Sequence, residues 1–280
     1  MAAEGCSVQL ACRVLAVSQS GFYARRTRPP SARTIRHAAL TDLIVRVHFD
    51  SRGTYGARRV HAELVLGHGL VVGHGTVALL MQRAAIAGVT GRPRFRRVPG
   101  MATAADLVER QFGRDDPDRL WVTDITEHPT REGKLYCAVV LDVWSRRVVG
   151  WSIDASPTAA LVTNALGMAI DGRRPEGTVI HSDQGTQFTS WAFTRRAIDS
   201  GLVPSMGAVG SCFDNAMIES FWSRMQVELL DRRTWRTRVQ LANAIFEYLE
   251  IFHNRQRRHS ALGMLSPIEF ETRRQTLTVA

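Results

Sequence analysis

Three acids in this chain have the type and setting to converge and hold a cation: Asp124 in WVTDIT, Asp183 in HSDQGTQFTS and Glu219 in FDNAMIESFW. Asp124 lies among Trp121, Val122 and Ile125, where a carboxylate is costly unless it is hydrogen-bonded or bound to a cation. Asp183 ends the apolar run 178–180 and precedes the turn Gln184-Gly185-Thr186. The C-terminal end of a strand, beside a glycine turn, is where α/β sheets place reactive groups. Met217, Ile218, Phe221, Trp222, Met225 and Leu229 share one face of a helix. Glu219 falls roughly 120° from the centre of that face at about 100° per residue, on a polar edge next to the core. Asp214 is a rival but reads better as a helix N-cap. Glu228 falls on the opposite edge and reads as an ordinary surface acid.

The elements that must position these acids follow from apolar periodicity. Strands are expected at 120–126, 135–143 and 147–153, close enough in succession for an antiparallel meander. A helix over 156–170, capped by Ser156, leads to the short strand into Asp183. Then come a helix over 190–200, a strand over 202–206, a helix from Asp214 to about Leu230 and a long helix over 237–253. This order matches an α/β ribonuclease-H-like core, a five-stranded mixed sheet with flanking helices. An all-α region precedes it. Residues 9–26 read as two short helices around a turn, with Ser18 capping the second. Residues 35–90 read as a three-helix, helix-turn-helix module. In that module Ile35, Leu40, Leu43, Ile44, Val47, Phe49, Val60, Leu64 and Leu66 face inward, and Arg58 and Arg59 face outward.

The expected organisation is a helical segment at 1–34, a DNA-binding module at 35–90 and a basic linker and connector at 91–110. A catalytic core at 111–274 and a tail at 275–280 complete it. The linker piece Gly91-Arg92-Pro93-Arg94 resembles the core of an AT-hook, in which arginines enter a narrow minor groove; a flexible basic tether explains it equally. Arg96 and Arg97 extend the same basic run.

Charge distribution points to a polyanion. The net charge is +10, and residues 1–97 hold 15 Arg against four acids, so the whole positive excess lies in the first third. No stretch reaches the roughly 20 apolar residues of a membrane span, and the N-terminus lacks a signal-peptide pattern. A cytoplasmic protein without a membrane partner is expected. The four cysteines, Cys6, Cys12, Cys137 and Cys212, have no paired spacing of the kind a structural zinc site needs. Cys137 and Cys212 read as small core residues.

Asp183 and Glu219 are separated by 35 residues. With Asp124 they resemble the DD(35)E triad of transposases and retroviral integrases. The blocks WVTDIT, LDVWSRRVVGW, HSDQGTQFTS, DNAMIESFWSRMQVELL and HNRQRRHSALGMLSPIEF resemble the second-frame product of IS3-family insertion-sequence transposases, over residues 14–271. Two departures from the pattern stand out: Glu127-His128, where an aromatic-aliphatic pair is expected, and Phe188, where tyrosine is common. Glu127 also adds a carboxylate near Asp124.

The resemblance implies DNA cleavage at the element's ends followed by strand transfer, with Asp124, Asp183 and Glu219 holding two Mg²⁺ ions (Mn²⁺ able to substitute). It implies double-stranded DNA as partner, both element ends and target, and a homo-oligomer on DNA. A first-frame helix-turn-helix product, separate or fused, is a further partner. Gln184, Gln187 and Asn215 are candidate DNA-positioning groups, or equally turn and capping residues. Arg255, Arg257 and Arg258 form a basic helix end that could bind phosphate, as could Arg58, Arg59, Arg92, Arg94, Arg96 and Arg97. Two other readings stay open: a nuclease of the same fold that cuts without joining, and a catalytically idle DNA-binding regulator.

Overall fold

A computed structural model of the chain describes residues 7–90, 116–206 and 216–279. The centre is a five-stranded mixed sheet of order β3-β2-β1-β4-β5. β1 (Leu120–Thr130), β2 (Gly133–Asp142) and β3 (Val148–Asp154) form the expected antiparallel meander. β4 (Val179–Ser182) pairs parallel with β1, and β5 (Val203–Met206) pairs parallel with β4.

Helices cover both faces, because the strands alternate two apolar sets. Trp121, Ala138 and Val140 pack with Ile180 against α6 (Ala159–Arg173) and α7 (Trp191–Asp199). Val122, Val139 and Leu141 pack on the other side against α8 (Ala216–Glu228) and α9 (Arg238–Phe246). α9 continues in wider turns over Glu247–Gln256. Gly150 lets α6 approach β3 closely, since a Cβ there would lie 2.2 Å from the Ala165 carbonyl oxygen. α6 is capped by Thr158 rather than by Ser156: the Thr158 hydroxyl accepts from the Leu161 N–H. Leu161, Val162 and Ala165 of this helix are buried in the core.

The N-terminal region is helical as expected. α1 (Val8–Val14) and α2 (Gln19–Thr27) form the first pair, and the Ser18 hydroxyl caps α2 by accepting from the Gly21 N–H. α3 (Ala32–Asp50), α4 (Ala57–Ala62, widening over Glu63–Gly67) and α5 (His74–Arg83) form the module behind it. Its buried stripe on α3 is Leu40, Ile44 and Val47. Ile35 and Phe49, expected inward, are 60% and 79% exposed; at about 100° per residue both fall on the far side of that stripe. Leu66 is likewise exposed, displaced by the widened turns that keep Val60 and Leu64 inside.

This module shares one hydrophobic cluster with the C-terminal helices, from Leu40, Ile44 and Tyr55 through to Tyr248, Leu249 and Phe252. The Tyr55 hydroxyl donates to the Gln256 carbonyl (3.0 Å) and accepts from the Arg258 N–H (2.8 Å). Arg258 ion-pairs Glu63 and Glu269, at 2.7 and 2.6 Å. Cys12 and Cys137 are buried free thiols, and burial pushes Cys137 up to about 12, so it is an inert core residue.

Candidate active site

Asp124 and Asp183 are brought side by side by the parallel pairing of β1 with β4. Val122 aligns with His181 in the ladder. Two residues further along each strand direction stand Asp124 and Asp183, with the same parity and therefore on the same side of the sheet. Asp183 falls just beyond β4, exposed, and its Oδ1 accepts the Gly185 N–H at 3.0 Å. A Cβ on Gly185 would press on that oxygen at 3.0 Å, which explains a glycine at this position. Gln187 donates to the Pro157 carbonyl at 3.0 Å, tying the turn to the start of α6. Gln184 is exposed.

α8 supplies the third acid. Trp222, three residues after Glu219, lies on the same helix side. Its Nε1–H donates to Asp124 Oδ2 at 3.1 Å. The Ile125 N–H donates to Asp124 Oδ1 at 2.8 Å. These bonds fix the carboxylate's orientation and tie α8 to β1, leaving Glu219 exposed at the rim of the same face. Burial pushes the Asp124 carboxyl up to about 6, and the charges of Asp183 and Glu219 push the same way. The hydrogen bonds from Ile125 and Trp222 oppose them.

Among the described residues no three His, Cys, Asp or Glu side chains are drawn into a chelating cluster. The donors are nonetheless carboxylate oxygens from neighbouring strands and one helix, repelling one another. That set suits a hard divalent ion that keeps several of its own waters. From the sequence Trp222 is only a member of the apolar face of α8; an indole N–H facing inward needs a partner, and three residues from Glu219 that partner is a carboxylate.

Several expected positions come out differently. Glu127 does not crowd Asp124: it points to the opposite side of β1 by strand alternation and ion-pairs Lys134 at 2.6 Å. Glu228, read as a surface acid, is 4% exposed. It lies seven residues after Phe221 and three after Met225, on the buried stripe itself. Its carboxylate takes two bonds from Arg257 (2.7 and 2.8 Å), one from the Tyr248 hydroxyl (3.0 Å) and one from Arg59 (3.3 Å).

The expected solvated basic helix end is corrected accordingly. Arg257 and Arg258 are each 4% exposed and committed to internal acids, His253, Asn254 and His259 are also buried, and Arg255 faces solvent. Asn254 bonds the Val148 backbone on β3. Arg58 is exposed on α4. Phe188 is buried edge-on against Phe193. Arg92, Arg94, Arg96, Arg97, Cys212, Asp214 and Asn215 lie outside the described residues.

Sheet order, helices on both faces, an acid midway along β1 and another just beyond β4 define a ribonuclease-H-like core of the integrase class. The Integrase core domain family matches residues 114–212 and 200–267, and an HTH-like domain matches residues 36–94. The transposase InsF for insertion sequence IS3A of Escherichia coli (strain K12) is 37% identical over 275 residues, covering 95% of this chain and 94% of the relative. A transposase described as putative, for insertion sequence element IS986/IS6110 of Mycobacterium tuberculosis, is 36% identical over 265 residues, covering 91% and 95%. Among solved structures, the catalytic core domain of BIV integrase aligns at 19% identity with a TM-score of 0.42, covering 58% of this chain and 99% of that one. The chain belongs to the IS3-family insertion-sequence transposases.

Proposed function

We propose that this chain is a transposase that cleaves DNA at the ends of an insertion sequence and transfers the freed strand to a target. The observation that carries the reading is the placing of Asp124 and Asp183 on adjacent parallel strands, with α8, which carries Glu219, tied to Asp124 through the Trp222 indole. Asp124, Asp183 and Glu219 are the residues that would hold Mg²⁺. When bound, two such ions lower the cost of charge on the attacking and leaving oxygens and favour the ionised nucleophile.

The protein's own contribution is orientation. The Ile125 N–H and the Trp222 indole hold Asp124 from two sides, and the Gly185 N–H holds Asp183. α8 carries Glu219 over the strand ends, and the exposed side of Asp183 admits the phosphodiester. In the first step a water oxygen bonds to phosphorus as the bond to the 3′-oxygen breaks. The released 3′-hydroxyl then attacks a target phosphorus, displacing that strand's own 3′-oxygen. The division into a helical DNA-binding module at 35–90 and a catalytic core at 111–274 is part of this proposal, as are Arg58 and Arg255 as exposed phosphate contacts. Oligomer formation on DNA belongs to it too.

The test is a strand-transfer assay on labelled element-end duplexes with Mg²⁺. Joined products are expected, and Asp183→Asn and Glu219→Gln are each expected to lower the rate by at least roughly a hundredfold. Shortened strands without joined products would favour a nuclease that does not join, and unchanged transfer by Asp183→Asn would sink the carboxylate mechanism.

A further inference from the structure

A second site opens where the helix-turn-helix module meets α8. A cavity of about 370 Å³, within the range of small-ligand sites, is lined by four guanidinium groups. Arg59 comes from α4, Arg146 from the turn between β2 and β3 and Arg224 from α8, and Arg257 directly follows the Glu247–Gln256 extension of α9. Ser220, the residue after Glu219, lines the same space.

The charges do not balance. Glu228 is the acid bonded to this group, and it is already engaged by Arg257 and Arg59. Among the described residues Arg146 and Arg224 have neither an ion pair nor a side-chain hydrogen bond. Arg146 is nevertheless half-buried in the turn, while Arg224 is exposed at the edge. The two histidines on the wall add no negative charge. They are held neutral, His253 pushed down to about 4 and His259 lowered well below its usual range, by burial first and then by their cationic neighbours. Burial and the nearby Arg257 also lower Arg59 and Arg146, against the opposing charge of Glu228 at Arg59 and with no opposing acid at Arg146.

Holding the unpaired, half-buried Arg146 close to Arg257, with Arg224 unpaired at the edge, is costly unless an anion enters. Their planar forks match phosphate oxygens two at a time.

We propose that this cavity is a phosphate-binding site, distinct from the carboxylate site, in which Arg146 and Arg224 supply the free guanidinium donors. The phosphate has two chemical sources: a phosphodiester of a DNA strand passing α8, or the phosphates of a free nucleotide. The DNA source rests on the proposed function; phosphate binding itself does not.

The experiment uses the full chain with a chelator present, so that no metal can carry phosphate to the carboxylates. Thermal melting and calorimetric titration are followed with inorganic pyrophosphate. The expected result is a saturable rise in Tm in the wild type and in Asp183→Asn. In Arg146→Gln/Arg224→Gln the apparent affinity should be weaker by roughly tenfold or more. If the double variant does not fold, Arg224→Gln alone, at an exposed position, serves with the same expected direction. Displacement of pyrophosphate by a short duplex assigns the site to DNA, and displacement by a nucleoside triphosphate alone assigns it to a free nucleotide. No saturable shift in the wild type, an equal shift in the variants, or a shift reproduced by sodium chloride at matched ionic strength would overturn the proposal.

Discussion

Asp124 is a carboxylate kept on a short leash. Its oxygens are held by the Ile125 N–H and the Trp222 indole, yet burial and two neighbouring acids still push it up to about 6, above the roughly 4 of a free aspartate. A raised folded-state pKa means the native protein holds this proton more tightly than the unfolded chain does. Its contribution to stability is therefore fully present below about pH 4 and is lost as pH rises through about 6. A bound divalent ion offsets that loss. The expected outcome is that Mg²⁺ raises Tm at pH 8 and that the rise fades below pH 6, where the proton competes. An equal rise at pH 5 and pH 8 would place the ion elsewhere. Trp222→Phe keeps the ring and removes the donor. Metal affinity or transfer rate is expected to fall by about 10–100-fold, as for other groups that orient a metal ligand, and Mg²⁺ titration of the transfer rate separates the two.

At the scale of elements, α8 is fastened at both ends of its buried face. Trp222 fixes it to β1 near the reactive acids, and Glu228 fixes it to Arg257 in the C-terminal segment. A buried ion pair is not by itself a source of stability, but breaking one is expensive. Arg257→Ala strands Glu228 among apolar neighbours with only Arg59 and Tyr248 left, and is expected to cost about 3–5 kcal/mol in urea denaturation. A loss under about 1 kcal/mol, the range of exposed pairs, would mean the guanidinium is not buried as described. His253 adds an acid limit. Its lowered folded-state pKa, about 4, means its contribution is present above the unfolded value of about 6.5 and drains away as pH falls through 4.

For the whole molecule, the shared cluster from Leu40 to Phe252 joins regions that the sequence reading set apart as modules. Arg52 pairs with Glu247, Arg258 with Glu63, and Tyr55 bonds both Gln256 and Arg258. We expect one cooperative unfolding transition spanning residues 35–90 and the catalytic core. Scanning calorimetry checks it: two separated transitions, with the earlier one abolished by removing the helical module, would contradict the shared core.

Much of this was legible in the sequence, for stated physical reasons. Alternating apolar residues specified β1 to β3, and the strand-end acid at 183 came with its glycine turn. Periodicity placed Glu219 on the edge of α8. These are local signals, set by side-chain period and backbone chemistry. Tertiary structure alone decided the rest. It paired Trp222 with Asp124, drew Glu228 and Arg257 inside, and left Arg146 and Arg224 facing one cavity. A charged residue reads as exposed in sequence because burial is costly; it is buried only when a partner distant in the chain meets it. Glu228 and Arg257 are 29 residues apart, and Arg59 reaches them from another helix. Nothing in a local pattern specifies that encounter, because the energy that permits it comes from the meeting itself.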